Sequence, residues 1–261
     1  MKKVSLVIPN FNQAAYLPGC VDHCWFQTYP NIELIIVDGG STDGTKEYLA
    51  GLSDRIAERT EHPVLFMDAE GNVQQKACRS YHEDTHAEHP LREVKIIASE
   101  EDLGRTGTYN AGFELVTGDY CTYIVGDDLP HPHMVEELVN ALESSGADVA
   151  YSDFNIITDD DRIRRLVRKP DYSFEACFAD WFHLGVSTLS RTERLREVGF
   201  MNEDWQIAND YRLYLDMARA GAEFVHVPKV LYSVRYHGAE SKLDESRRLA
   251  FEARELLGTD G

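Results

Sequence analysis

The sequence predicts an α/β fold in which a mostly parallel sheet is covered by helices on both faces. Three observations carry that expectation. The runs at residues 4–8, 32–37 and 120–125 are dominated by apolar, aromatic and β-branched residues, the pattern of strands buried on both sides. Segments with apolar residues at helical spacing separate these runs. Each run is closed by turn or acidic residues, namely Pro9-Asn10, Asp38 and Gly126-Asp127-Asp128. Polar groups therefore collect at the carboxyl ends of the strands, where ligands bind in such sheets.

Taken in order, Val4-Ser5-Leu6-Val7-Ile8 reads as a strand ended by Pro9-Asn10. Leu17, Cys20, Val21, Cys24 and Trp25 repeat at helical spacing until Tyr29-Pro30 stops the helix. Residues 32–37 form the second strand, and the turn Gly39-Gly40-Ser41-Thr42-Asp43-Gly44 follows, with Thr42 or Asp43 capping a helix that runs through Leu52. Residues 93–98 give a third strand, 108–116 a helix ended by Gly118, and 120–125 a fourth strand. After Pro130-His131-Pro132 a helix buries Met134, Val135, Leu138, Val139 and Leu142 and ends at Gly146.

Two regions break the alternation. Residues 67–90 are polar and irregular; His82, His86 and His89 lie there among Glu83, Asp84 and Glu88, as in a solvated insertion, with a metal at the His82–His86 spacing as the alternative. From about Val149 the pattern changes, and residues 151–158 and 162–167 read as a hairpin across Asp159-Asp160-Asp161. The aromatic stretch 174–182 is expected to cover a groove. The amphipathic stretch 243–257 is expected to pack on its own domain, with a membrane or a second subunit as other partners.

The chain has 261 residues, enough for one large core or two modest ones, and its 43% hydrophobic content is that of a globular protein. It lacks a bilayer-length apolar run, and its start leads straight into a strand, so neither a signal peptide nor a transmembrane helix is expected. The five cysteines (20, 24, 78, 121 and 177) have no metal-ligand spacing and read as reduced thiols of a cytoplasmic protein. The net charge of −19 argues against nucleic acid as a partner and requires local compensation wherever a phosphate binds.

Asp127 and Asp128 follow a buried strand, where two carboxylates are costly unless neutralised. A hard divalent cation does this and brings phosphate with it; the other reading is an acidic helix N-terminus. Asn209 reads as an N-cap that puts Asp210 at the first helical position, above a buried face of Tyr211, Tyr214, Leu215 and Ala218. The helix dipole there favours the ionised carboxylate, either as a base or as a charge that only stabilises the helix end.

Six segments resemble, in chain order, the motifs of family-2 glycosyltransferases with the GT-A fold. They are Val4-Ser5-Leu6-Val7-Ile8-Pro9-Asn10-Phe11-Asn12; Ile35-Ile36-Val37-Asp38-Gly39-Gly40-Ser41-Thr42-Asp43-Gly44-Thr45; Asp102-Leu103-Gly104 with Asn110-Ala111-Gly112 and Thr117-Gly118-Asp119-Tyr120; the acidic pair; Ile207-Ala208-Asn209-Asp210-Tyr211; and Arg235-Tyr236-His237-Gly238. The resemblance implies one Rossmann-like α/β/α domain over residues 1–261, with a nucleotide-sugar half (1–128), an acceptor and catalytic-base half (129–240) and a C-terminal helix (241–261).

It also implies inverting transfer of a sugar from a nucleotide-sugar, a UDP-sugar favoured, to a hydroxyl of a saccharide or lipid-linked acceptor in bacterial surface-polysaccharide assembly. The setting is the cytoplasmic side of a membrane, and a homo-oligomer is allowed. The implied donor contacts are Pro9, Asn10, Phe11, Asp38, Gly104 and Asp127, with Asp38 accepting a base-ring N–H. A manganese or magnesium ion is placed at Asp127, Asp128 and His237, and Asp210 is the general base. Each has a plainer alternative: Phe11 as a core aromatic, Asp38 as an Asx-turn residue, His237 as a surface histidine. Gly104, Asn110 and Gly112 read as shaping the loop. Among Tyr172, Phe174, Phe178, Trp181, Phe182 and Trp205, at least half are expected to pack a core and the rest to face a sugar acceptor.

Val125 stands where the family often has the first Asp of its Asp-x-Asp motif, and Asn209 replaces an acidic residue before the base. Both keep open a relative of the same fold that binds nucleotide-sugar or carbohydrate without catalysis. A nucleotidyltransferase is disfavoured because Asn10-Phe11-Asn12-Gln13-Ala14-Ala15 carries no Lys or Arg for a triphosphate, and a dinucleotide oxidoreductase because no Gly-x-Gly-x-x-Gly follows the first strand.

Overall fold

A computed structural model describes residues 1–52, 62–67, 73–78, 91–175 and 184–237, the second and third of these stretches by backbone alone. The elements in chain order are β1 (Val4–Asn10), α1 (Leu17–Trp25), β2 (Ile32–Asp38), α2 (Thr45–Ala50), β3 (His62–Met67), β4 (Val73–Cys78), β5 (Glu93–Ala98), α3 (Arg105–Phe113), β6 (Tyr120–Tyr123) and β7 (Leu129–Pro130). They continue with α4 (Met134–Ser145), β8 (Val149–Ile157), β9 (Ile163–Val167), β10 (Thr188–Arg191), α5 (Thr192–Glu197), α6 (Asn209–Arg219) and β11 (Phe224–Arg235).

Among the described residues, one sheet of nine strands runs β5-β2-β1-β6-β10-β8-β11-β7, with β9 paired to β8. β5, β2, β1 and β6 are mutually parallel, in the register Asn10↔Asp38 and Val7↔Tyr123. This brings the carboxyl ends of β1 and β2 level with each other, next to the exit of β6. β10 is antiparallel to both β6 and β8, β11 runs parallel to β8, and β7 pairs antiparallel with β11. β3 and β4 form a separate antiparallel pair.

The uniformly apolar strands are explained by two cores. Val4, Leu6 and Ile8 of β1 and Ile32, Leu34 and Ile36 of β2 join one cluster with Leu17, Cys20, Val21 and Cys24 of α1 and the predicted face of α4. Val7, Ile35 and Val37 point the other way, into a cluster with Phe113 of α3 and Leu213, Tyr214 and Met217 of α6. Successive strand residues alternate sides, so a strand covered on both faces needs an apolar residue at nearly every position. Each fully buried Val, Leu or Ile contributes about 1.5–3 kcal/mol. α3 lies close to the sheet because Gly112 has no side chain: a Cβ there would meet Val7 Cγ1 at 2.3 Å.

Glu33, inside β2, breaks the apolar run yet is wholly buried. Its carboxylate accepts hydrogen bonds from Lys95 Nζ (2.7 Å), Thr117 N (2.7 Å), Thr117 Oγ1 (2.8 Å) and the Ser5 hydroxyl, and pairs with Lys3 at 3.1 Å. Burial alone would raise its pKa; the bonds from Lys95, Ser5 and Thr117 outweigh burial and hold it at about 2. The cluster fastens β1, β2, β5 and the α3–β6 connection at the end of the sheet opposite the strand carboxyl ends.

Several boundaries differ from the sequence reading. β6 stops at Tyr123, and Gly126-Asp127 forms a turn. α3 begins at Arg105 rather than 108, because Gly104 at φ +67° supplies the N-cap. α2 ends at Ala50, short of Leu52. Residues 67–90 are not irregular throughout, since β4 lies within them. The hairpin across Asp159-Asp160-Asp161 forms as β8–β9. His82, His86, His89, Phe178, Trp181, Phe182 and the stretch 243–257 lie outside the described residues. Among those described, Cys20, Cys24 and Cys121 are buried free thiols, and no helix is long and apolar enough to cross a membrane.

Replacing Glu33 by Gln should lower stability by about 3 kcal/mol at neutral pH, measured by urea denaturation. Because the folded pKa lies below the ordinary 4.5, the difference between wild type and variant should be complete above pH 4.5 and shrink as pH falls toward about 2.

Candidate active site

The loops after β1 and β2 are laced together. Asn12 N donates to Ser41 Oγ (2.8 Å), Thr42 N to Asn12 Oδ1 (2.8 Å), and Ala14 N to Asp43 Oδ2 (2.8 Å). Asp43 precedes the N-cap Gly44, and its Oδ1 accepts from Thr45 N at 3.1 Å, so it does meet the helix start as a cap would. Asp38 is fully buried, with its oxygens bonded to Ser41 N (3.2 and 3.3 Å) and to the Ser41 hydroxyl, so its carboxylate closes its own loop three residues on, one residue beyond the reach of an Asx turn. Pro9 and Asn10 are buried at the end of β1. Phe11 is 48% exposed, so it is not a core aromatic.

The acidic pair splits into two environments. Asp128 is buried and accepts from Tyr232 Oη (3.0 Å) and Arg235 N (2.8 Å); burial and the neighbouring Asp127 charge push its pKa well above the usual aspartate value. Asp127 Oδ2 lies 2.6 Å from His237 Nε2, while its Oδ1 is buried and bonded to no described group. Asn10 Oδ1 is orphaned in the same way. The turn can pass this close to the first loop because residue 126 is glycine: a Cβ there would lie 2.7 Å from Asn10 Oδ1 and 2.8 Å from Gln13 Oε1. Buried acceptors without donors are expensive, and two of them at the strand ends mark a place for an external cation or donor group.

His237 is held from both sides, because its Nδ1 lies 2.7 Å from Asp159 Oδ1 in the β8–β9 turn. Tyr16 Oη donates to the same Asp159 oxygen (3.2 Å), and its ring sits 5.0 Å from the imidazole. Arg235 underpins the arrangement. Its Nε donates to the Asp127 carbonyl (2.9 Å), Nη1 to the carbonyls of Thr158 (2.8 Å) and Asp159 (3.0 Å), and Nη2 to Asp161 Oδ1 (2.6 Å). Asp127, His237 and Asp159 thus form a hydrogen-bonded chain, to which Asp128 is tied only through Arg235; among the described residues no group of three or more His, Cys, Asp or Glu converges as a ready-made cation site.

Asp210 stands at the start of α6. Its Oδ1 accepts from Tyr211 N (2.7 Å) and its Oδ2 from Tyr123 Oη (3.3 Å). Burial raises its pKa above the usual aspartate value, against the pull of those bonds and of Arg105. Desolvation thus outweighs the local bonds that favour the ionised carboxylate. Asn209 is not the N-cap. It is the first residue of α6, after Ala208, and its Nδ2 donates to Thr106 Oγ1 at 3.1 Å, tying α6 to α3. Tyr109, T-stacked on Tyr123 at 5.2 Å, feels the charges of both Asp210 and Asp127. The acid pair and Asp210 therefore share one neighbourhood.

Gly104 shapes the start of α3, and Asn110 clamps the distant segment between α5 and α6 through Met201 O (2.8 Å) and Met201 N (3.1 Å). Tyr172 packs on Phe224, 4.3 Å between ring centres, while Phe174 is 41% exposed. The sequence reading missed Tyr16, Tyr123, Asp159 and the side chain of Arg235; the signal for the last two was the Asp159-Asp160-Asp161 run facing an Arg beside His237.

The family model described as Glycosyl transferase family 2 matches residues 5–80 and 76–199. The glycosyltransferase GlyG of Streptococcus pneumoniae is 26% identical over 76% of this chain and 60% of its own length. A glycosyltransferase of Rickettsia typhi, named as uncharacterized, is 25% identical over 91% and 65%. The chain thus spans less than two thirds of these relatives. Among solved structures, the mannosyltransferase PcManGT of Pyrobaculum calidifontis, in complex with GDP-Man and Mn2+, superposes with a TM-score of 0.66 at 16% identity over 100% of this chain and 65% of that one. S. aureus TarS 1-349 in complex with UDP-GlcNAc gives 0.65 at 14% identity over 91% and 60%. These structures share the GT-A-like layering of the fold described above. With the family model covering most of the chain in the order of its strands and loops, this protein belongs to glycosyl transferase family 2.

Proposed function

We propose that this protein transfers a sugar from a nucleoside-diphosphate sugar, a UDP-sugar by preference, to a hydroxyl of a saccharide or lipid-linked acceptor in polysaccharide assembly, with inversion at the anomeric carbon. The observation that carries this reading is the orphaned, buried Oδ1 of Asp127 beside an Oδ2 held by His237, at the strand ends. Asp127 and His237 would hold a manganese or magnesium ion. Asp128, whose oxygens are engaged by Tyr232 and Arg235, supports the turn from behind or joins the ion by exchanging those partners. When bound, the cation supplies neutralisation of the charge that builds on the departing diphosphate.

The remaining steps use the chain's own residues. Phe11 stacks on the base, and Asp38 accepts a base N–H in exchange for Ser41, with Pro9, Asn10 and Gly104 shaping the donor pocket. Asp210 takes the proton of the acceptor hydroxyl. The oxygen attacks the anomeric carbon opposite the diphosphate, the new C–O bond forms as the old one breaks, and the transition state is oxocarbenium-like. The raised pKa of Asp210 makes it a stronger base than an ordinary aspartate. The protein works at the cytoplasmic side of a membrane.

A thermal-shift panel of UDP-, GDP-, dTDP- and CMP-sugars with and without manganese tests the reading. One nucleotide class should raise the melting temperature in a manganese-dependent way, and Asp127→Ala should abolish that dependence. No shift with any of them would overturn the transferase reading, and a shift without turnover would favour a non-catalytic binding relative.

Asp210→Asn should lower kcat by roughly 10²–10⁴-fold while leaving the donor-induced shift intact. In the wild type, kcat/KM should fall with decreasing pH through a pKa above that of an ordinary aspartate, because the base must be unprotonated and burial favours its protonated form.

A further inference from the structure

β9 is an edge strand of unusual composition. It pairs with β8 and with no other described strand. Within residues 162–168 lie Arg162, Arg164, Arg165 and Arg168, in a chain whose net charge is −19. All four are exposed, and between them Ile163 is 67% and Leu166 42% exposed. Arg162 pairs with Asp160 at 2.9 Å and Arg164 lies 4.9 Å over the Tyr236 ring, whereas no described residue partners Arg165 or Arg168.

Arginines on an open edge have an ordinary use in blocking edge-to-edge aggregation. That accounts for the charge but leaves two large apolar side chains in water. Pairing with the same edge of a second copy would set arginine against arginine. A soluble polyanion would satisfy the arginines and leave Ile163 and Leu166 exposed. A bilayer surface carrying anionic headgroups satisfies both: guanidinium groups meet phosphate while apolar side chains enter the headgroup boundary.

We propose that the β9 ribbon docks this protein on an anionic lipid surface. The ribbon leaves the turn that carries Asp159, the partner of His237, so docking brings the mouth of the site to the surface from which a lipid-linked hydroxyl is presented. That purpose rests on the function proposed above; the docking itself does not. The rest of the acidic surface is repelled by such lipids, so attachment is local, shallow and sensitive to salt.

Flotation of the full chain with phosphatidylcholine vesicles, and with phosphatidylcholine–phosphatidylglycerol vesicles, tests this at low and high salt. The wild type should float only with the anionic vesicles and should be released by salt. Arg165→Glu with Arg168→Glu should weaken partition by more than roughly tenfold. Ile163→Ser with Leu166→Ser should weaken it to a smaller extent. Both double variants should keep the wild-type melting temperature and any donor-induced shift. Equal flotation with both vesicle types, no flotation, or wild-type flotation by both double variants would overturn the proposal, as would retention on heparin without vesicle binding, which assigns the ribbon to a soluble polyanion. Loss of docking with the donor shift intact would leave the transferase reading standing. Docking without a donor shift would do the reverse.

Discussion

A buried guanidinium at the end of the last strand ties the site together. Arg235 is 6% exposed, and its side chain reaches the backbone of Asp127 on one side and the Thr158–Asp161 turn on the other, while its own N–H binds Asp128. These groups come from three separate parts of the chain. Without a cation among them, the carbonyl dipoles and carboxylates would leave the turn no reason to sit over the acidic pair. Arginine suits the place because its planar fork serves several acceptors at once and keeps its charge. The position of Asp159, and through it that of His237, follows from this one residue.

The carboxylates around Arg235 are sorted by environment. Asp128 is buried against Tyr232 and its affinity for protons is raised, whereas the His237 bond draws exposed Asp159 below its usual value. Asp127 lies between them with one oxygen engaged and one left over. On the other core, Asp210 is pushed toward proton binding by desolvation. Environments that drive like groups apart are how a single fold assigns different tasks to chemically identical side chains.

The parallel half of the sheet was legible because burial on both faces leaves a direct mark: unbroken apolar strands and helices with one apolar stripe, as in α1 and α4. The C-terminal half was less so. β10 and β11 are mixed in polarity and find their places through long-range pairing with β8, which no local pattern announces. Glu33 shows the same limit, since its burial depends on Lys3, Lys95 and Thr117 arriving from distant segments. Candidate residues at strand ends could be named from position alone. Their partners could not: Tyr16 and Asp159 meet only after the sheet closes, and Tyr123 reaches Asp210 across 87 positions of sequence. Asn209 misled because a capping residue type need not cap when a neighbouring helix offers it a hydroxyl.

In the function proposed above, the Asp127–His237 contact is the closed form of the cation site. Crystals grown with manganese and UDP, measured at the manganese absorption edge, test it directly. The account predicts an anomalous peak about 2.1 Å from an Asp127 oxygen and from His237 Nε2, with the hydrogen bond between them replaced and the Asp159 bond to Nδ1 retained. A peak elsewhere, or a bound nucleotide with the Asp127–His237 bond unchanged, would contradict it.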